Sequence, residues 1–518
     1  MRWLPHLCGF LATAFLAVFF AYPLVVILQR GLSIEAFSSI LQNPYYLGRI
    51  LFTLYQALLS TLLTLLLGLP SALLFARYTF PGKRLLRTAF TIPFVMPTVV
   101  VAIGFLTLVG PRGILNVNLR DTFALLLLAH VFYNYAVVVR IVGAYLEGQE
   151  VRLREAAAML GANSWRTFLK VTLPIAAPAL FAAATLVFIF CFTSFGVILL
   201  LTPSPEFATL EVEIYRLTAR LLDLEGSSVL VVLQLLMIGA LTFVYTRLQA
   251  RLSVTLKNKR PLEKPRSLRR ILLGLNFLIA FVLILSPLVA LSVSAFVSNG
   301  QLSLANFQTL SEAPRTIVFS GAGRAIRNSI LFAVSSTALS LLVGFAFAYA
   351  VVRGNWRWLD SLSLLPLATS AVTLGLGYLL AFPLLRTSPW GLTLAHTLIA
   401  FPFVTRSLLP ALRSLPSNLV GAATTLGASP LKVLLRVELP LLTPSLITAA
   451  SFAFAIALGE FGATLVIPSE RFATLPVAIF DRLGRPGAAN YGSALALSFI
   501  LMSVTAAVMM VLERFEKE

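Results

Sequence analysis

Charge is what this sequence has least of. Only 12% of its 518 residues are Asp, Glu, Lys or Arg, and just 20 are acidic. A soluble globular chain carries about 25% charged residues. Together with a hydrophobic content of 58%, that shortfall excludes a water-soluble enzyme, a disordered chain and a fibrous repeat. Cysteine is nearly missing: Cys8 and Cys191 both lie in apolar runs and offer neither a disulfide framework nor metal-ligand spacing. The phosphate-cradling pattern GxxxxGK[ST] does not occur, and the Gly375-Leu376-Gly377 pair sits inside an apolar run rather than after a strand. HExxH, paired intramembrane acids and a spaced Ser/Lys dyad are likewise absent, which speaks against a membrane enzyme.

What the sequence does have is long apolar stretches. They fall at about 7–28, 49–76, 88–109, 122–146, 176–201 and 227–249, then at about 270–296, 327–352, 359–382, 391–412, 442–467 and 488–512. Each is long enough for a membrane-crossing helix and too long for a barrel strand. The expected fold is an all-α polytopic membrane protein of about twelve transmembrane helices, six plus six. The first run reads as a retained span, because it is long for a signal peptide and no small-residue cleavage site follows its core.

The net charge of +20 would point to nucleic acid in a soluble chain. Here Lys and Arg cluster between the runs, near 77–87, 147–175, 250–269, 353–358 and 413–441, with no aromatic interleaving. That is the positive-inside pattern, and nucleic acid is not an expected partner. The opposite loops carry Asp121, Glu206, Glu211, Glu213, Asp223, Glu225, Glu312, Glu470 and Asp481, which places both termini in the cytoplasm. Residues 251–269 lack apolar periodicity and hold two prolines; they read as a cytoplasmic linker positioned to touch anionic lipid.

The two sides of that linker, 1–250 and 270–518, repeat each other. EAAAMLGANSWRTFLKVTLP (155–174) falls on GAATTLGASPLKVLLRVELP (421–440) at an offset of 266, as do His130 on His396, Arg140 on Arg406, and Phe195-Gly196 on Phe461-Gly462. Residues 203–216 align with 468–482 after a one-residue slip, and Pro93 and Gly104 keep the spacing of Pro366 and Gly377. Six spans separate equivalent points, so the copies run parallel about an axis along the membrane normal, with a pathway expected between them. Within 155–174 a helical turn ends at Gly161, a second short amphipathic helix follows, and Leu173-Pro174 is expected to stop it before the next span. Two such knobs suit a partner with two equivalent grooves.

Glu155, Ala156, Ala157, Gly161, Leu173 and Pro174 resemble the EAA loop of binding-protein-dependent ABC importer permeases. The second copy falls on Gly421, Ala422, Ala423, Gly427, Leu439 and Pro440, with Gly421 where the acid belongs. The resemblance implies a type I importer permease of MetI-like fold in a bacterial-type cytoplasmic (inner) membrane. It also implies that each loop is a coupling helix inserting into a separate ABC ATP-binding subunit, expected as a homodimer. ATP and magnesium would sit on that partner, and no cofactor on this chain. An extracytoplasmic substrate-binding protein would dock near 201–225 and 467–487. The fused arrangement is similar to the permeases for thiamine or thiamine diphosphate and, next, for ferric iron; some segments also occur in sulfate and molybdate permeases.

Two further residues are candidates for the pathway. Glu460 stands in an apolar run, where a carboxylate costs about 2.5–3.5 kcal/mol and should face the bundle or a wet cavity. Its repeat equivalent is Ser194. Glu460 reads either as a polar point on the path or as a packing hydrogen bond beside Gly459 and Gly462. His130 and His396 read as interhelical hydrogen-bonding residues, and Arg140 and Arg406 as snorkelling or knob-supporting ones. A six-plus-six secondary transporter is the rival architecture, but it calls for coupling charges in several spans, and essentially only Glu460 is offered.

Overall fold

The computed structural model describes residues 3–32, 34–147, 151–252, 265, 267–298, 300–312, 321–467 and 470–515. Among these the chain is almost wholly helical; a short antiparallel pair, Val297–Ser298 with Gln301–Leu302, supplies the strands. Of the expected linker, 253–264 and 266 lie outside the described residues, while 251–252 end one helix and 267–269 begin the next.

Ten of the twelve apolar runs are helices long enough to cross a membrane. The other two occupy the same place in each half, the third run, and both are broken. In the first half Lys83–Val95 is followed by extended Met96 and Pro97 before Thr98–Val109. Pro97 fixes its own φ and pushes the residue before it out of the helical region. In the second half Trp358–Leu367 and Ala371–Ala381 meet at 94°. There Thr369 and Ser370 are extended, and the Ser370 hydroxyl caps the new helix by accepting from the Thr373 N–H at 3.0 Å.

The spans have their polar side chains inside. On Pro44–Arg77, Thr53, Gln56, Ser60, Thr64 and Ser71 are buried while Leu51, Tyr55, Leu58, Leu62 and Leu66 form an exposed stripe. Ala322–Arg353 repeats the scheme, with Asn328, Ser329, Ser336 and Ser340 buried and Leu331, Val334 and Leu342 exposed. Helices in lipid gain little from burying leucine, so small and hydroxyl-bearing residues make the contacts between them.

In each half the second, fourth and fifth spans pack together. The first spans cross over. Trp3–Gly31 packs against Ala322–Arg353 and Ala371–Ala381 of the second half, and Ser267–Ala295 against Thr98–Val109 of the first. The repeating unit of sequence and the packed bundle are therefore different sets of helices, and the halves interlock.

Candidate functional site

The two knobs share one backbone pattern. Val151–Met159 ends on Gly161 at φ +78°, and Ser417–Thr425 ends on Gly427 at φ +78°. The Gly161 N–H donates to the Ala158 carbonyl and the Ala162 N–H to that of Ala157, both at 3.0 Å. Gly427 and Ala428 repeat this with Thr424 and Ala423 at 2.9 and 3.0 Å. Both are Schellman motifs, which close the end of a helix through one left-handed residue. Asn163 and Ser429 then cap the next helix, accepting from Arg166 N–H at 2.8 Å and Lys432 N–H at 3.4 Å. Leu160 and Leu426, at the tips, are 88% and 87% exposed. Glu155, Ala156, Gly421 and Ala422 are exposed as well, and Ala157 and Ala423 half-buried.

One local expectation is corrected. Leu173-Pro174 and Leu439-Pro440 do not stop the second helix of the knob. Ser164–Phe192 is a single helix carrying a π-helical turn at Phe168–Thr172, and 430–459 carries one at Leu434–Glu438. The Leu173 and Leu439 N–H groups reach back five residues, to Phe168 and Leu434. The wider turn accommodates a proline that has no N–H and whose ring crowds the preceding carbonyl. The second helix of each knob is therefore continuous with the fifth span of its half.

At the root of each knob stands the last residue of the second span. Arg77 donates to the buried Thr172 hydroxyl at 3.2 Å, and Arg353 pairs with the buried carboxylate of Glu438 at 2.8 Å. Thr172 and Glu438 are repeat equivalents. Arg406, with Arg413, instead pairs with Asp360 at 3.0 and 3.2 Å.

At the axis the structure brings together residues far apart in sequence. Phe195 and Phe461 stack with centroids 5.8 Å apart at 26°. Tyr215 meets Phe195 edge-on at 5.3 Å, and Phe480 meets Phe461 edge-on at 5.4 Å, both at 62°. Tyr215 and Phe480 are themselves repeat equivalents. The four rings form a barrier. On its knob-ward side is a cavity of about 360 Å³ lined by Ser194, Glu460, His130 and Asn134 among others. Beyond it, past Leu199 and Leu200, is a chamber of about 800 Å³ whose wall includes Tyr215 and Phe480. Both pathway candidates, Ser194 and Glu460, thus line one cavity.

Glu460 keeps its oxygens turned inward. Its carboxylate accepts from the Ala463 N–H at 2.8 Å, the Thr464 N–H at 3.1 Å and the Thr464 hydroxyl at 2.6 Å, capping the short helix Gly462–Val466. His396 Nε2 lies 3.1 Å from it. His130 instead bonds Ser60 through Nδ1 at 2.8 Å, an interhelical contact. Among the described residues, no three His, Cys, Asp or Glu side chains converge as metal ligands.

Glu211 and Glu213, expected in an exposed loop, are both fully buried. They sit on Leu210–Tyr215, which folds back into the bundle because the Leu210 N–H bonds Thr53 Oγ1 at 3.0 Å. The matching Leu475 N–H bonds Ser329 Oγ at 2.6 Å. Gln234 donates to Glu211; Tyr45 and Arg216 hold Glu213 at 3.0 and 2.7 Å. Only such partners make a buried carboxylate tolerable, and none is adjacent in sequence except Arg216.

Residues 64–257 and 329–518 each match the family described as binding-protein-dependent transport system inner membrane component. The chain belongs to that family. Each matched segment contains one knob, and neither includes the crossed-over first span. The chain is similar to the thiamine transport system permease protein ThiP of Escherichia coli (strain K12), 25% identical over 486 residues covering 89% of each chain. It is 27% identical to ThiP of Brucella abortus (strain 2308) over 540 residues, covering 98% of this chain and 94% of that one. It is also 34% identical over 196 residues to the putative 2-aminoethylphosphonate transport system permease protein PhnV of Salmonella paratyphi A, covering 34% of this chain and 73% of that one. The chain is thus a multi-pass ABC importer permease, a fused pair of repeats, and a transport subunit rather than an enzyme.

Proposed function

We propose that this chain forms the translocation path for thiamine or thiamine diphosphate in an ATP-binding-cassette importer. Near-full-length likeness to thiamine permeases is the observation that carries the substrate reading, and it favours thiamine over ferric iron. In this reading the two knobs, one from 1–250 and one from 270–518, seat in the two protomers of a homodimeric ATPase. That partner holds ATP and magnesium, and this chain holds no cofactor. A substrate-loaded binding protein docks on the opposite face, near 201–225 and 467–487, and both termini are cytoplasmic.

The mechanics follow from that continuity. Closure of the ATPase dimer draws the knobs together, and because each knob is continuous with a fifth span, the motion reaches Phe195 and Phe461 at the far ends of those spans. Separating the four rings opens the cavity holding Ser194 and Glu460 toward the binding protein and completes alternating access. Uptake of labelled thiamine, thiamine diphosphate and ferric iron, in cells lacking their own importers and supplied with this chain, an ATPase and a binding protein, tests the reading. Accumulation of thiamine or of its diphosphate is expected; iron accumulation with neither would overturn it. Failure of the chain to co-purify with any co-expressed ATPase would remove the coupling mechanism.

A further inference from the structure

The outer chamber has an unusual wall. Its lining includes Arg112, Arg120, Arg216, Arg220, Arg482 and Arg485, and no acidic side chain. Two of the six are neutralised nearby, Arg216 by Glu213 at 2.7 Å and Arg485 by Asp481 at 2.8 Å. The other four have no ion-pair partner among the described residues. Burial and the neighbouring Arg485 hold the Arg482 pKa below its usual value, against the pull of Asp481. The helix Phe123–Leu146 has Arg120 just before its first turn and the first knob after its last. The chamber therefore opens on the face away from the knobs, where the charge pattern of the spans calls for few basic residues.

Shape and chemistry narrow the occupant. A concavity of this size suits a small molecule, and a docking surface for a protein has no need of depth. Guanidinium groups pair bidentately with phosphate, and the six on this wall outnumber the two carboxylates, Glu213 and Asp481, that pair with them. Aromatic rings are at hand: Arg112 lies 5.7 Å from the centre of the Tyr491 ring, and Tyr215 and Phe480 join the chamber to the barrier. We propose that this chamber is a binding site for a phosphate-bearing aromatic compound. Its phosphate is held by Arg112, Arg120, Arg220 and Arg482, and its ring lies against Tyr215 and Tyr491. The site makes the permease itself selective for phosphorylated cargo. The proposal rests on the thiamine reading above and sharpens it: the diphosphate ester is the preferred form, and free thiamine, a cation without phosphate, is disfavoured at the entrance.

The test has a binding arm that does not depend on which vitamin is moved. The full chain is placed in nanodiscs of neutral lipid, without the ATPase and its own phosphate site, and equilibrium binding of radiolabelled pyrophosphate is measured. Saturable binding is expected, displaced by thiamine diphosphate and not by thiamine. The triple variant Arg112→Gln, Arg220→Gln, Arg482→Gln should bind about tenfold or more weakly, and the corresponding triple Lys variant should recover part of the loss, which separates lost charge from lost folding. No saturable pyrophosphate binding, or binding unchanged in the Gln variant, overturns the proposal. So does a Gln variant that loses only its grip on the binding protein, or displacement by phosphatidylglycerol and not by thiamine diphosphate. The uptake arm compares thiamine with its diphosphate in the complete importer. Equal uptake of both, unaffected by the Gln variant, overturns this site and leaves the thiamine reading standing. Uptake of neither, with arginine-dependent pyrophosphate binding intact, removes the thiamine reading and supports the site.

Discussion

Phe195 and Phe461 stack on one another although they come from equivalent points of the two repeats, so the pseudo-two-fold axis passes between their rings. The contact is the middle of a four-ring barrier between the inner cavity and the outer chamber. An aromatic pair of this kind is worth about 0.5–1.5 kcal/mol beyond its burial. Phe195→Ala combined with Phe461→Ala should therefore raise ATP-independent leak of labelled cargo from loaded proteoliposomes by roughly tenfold, with a smaller rise in each single variant. A double variant as tight as the parent would mean that the seal lies elsewhere.

Gly161 and Gly427 occupy the left-handed region with open space around the position a Cβ would take. The constraint at both is therefore backbone conformation alone. Alanine should cost about 1–2 kcal/mol at each site, and Asn, which enters this region more readily, should cost less. Proline cannot adopt a positive φ. The double variant Gly161→Pro, Gly427→Pro should insert normally and lose substrate-stimulated ATPase activity in the assembled importer, whereas the double Asn variant should keep most of it. Stimulated ATPase in the proline double variant would contradict the coupling role proposed for the knobs.

How far the sequence foretold this depends on whether the cause was local. The turn of each knob was legible because its shape is set by a glycine and a cap within a few residues of chain, whereas the proline that follows was misleading, since the helix runs on through it. The break at Pro97 carries a proline signal, but its counterpart at Ser370 depends on a hydroxyl cap that composition alone does not single out. The burial of Glu211 and Glu213 was not legible: 201–225 reads as a polar loop, and the groups that make burial tolerable, Gln234 and Tyr45, belong to other helices. Nor did the arginines of the outer chamber form a motif, since they are scattered from 112 to 485 and only the fold collects them. The crossing-over of the first spans left one trace, the matched spacing of Gly104 and Gly377.

The two roots are equivalent in place and unequal in chemistry. Arg353 pairs with a carboxylate that is 1% exposed, whereas Arg77 meets a hydroxyl. Removing one member of a buried ion pair costs about 3–5 kcal/mol, while losing a hydrogen bond between a charged and a neutral group costs about 1.5–3 kcal/mol. Arg353 is partly exposed, which moves its case toward the lower end of that range. Glu438→Ala should therefore lower the melting temperature of the detergent-solubilised chain more than Thr172→Ala. Equal losses would show that the Arg353–Glu438 contact is solvated in the membrane-embedded protein.

Gly104 and Gly377 mark where each crossed-over first span meets the other half. A Cβ on Gly104 would lie 2.7 Å from the Pro287 carbonyl oxygen, and one on Gly377 would lie 3.0 Å from Pro23 Cβ. A backbone oxygen cannot swing aside as a side chain can, so the first span itself would have to move. Gly104→Ala should destabilise the fold by about 1–3 kcal/mol, as overpacking does, and Gly377→Ala by less. Gly239, on Leu224–Leu252, has nothing within 4 Å of its would-be Cβ. Alanine there should be neutral or should stabilise by up to about 1 kcal/mol through helix propensity. Thermal unfolding of the three variants in one detergent decides the matter. If all three shift alike, the close approach of the first spans does not hold the halves together.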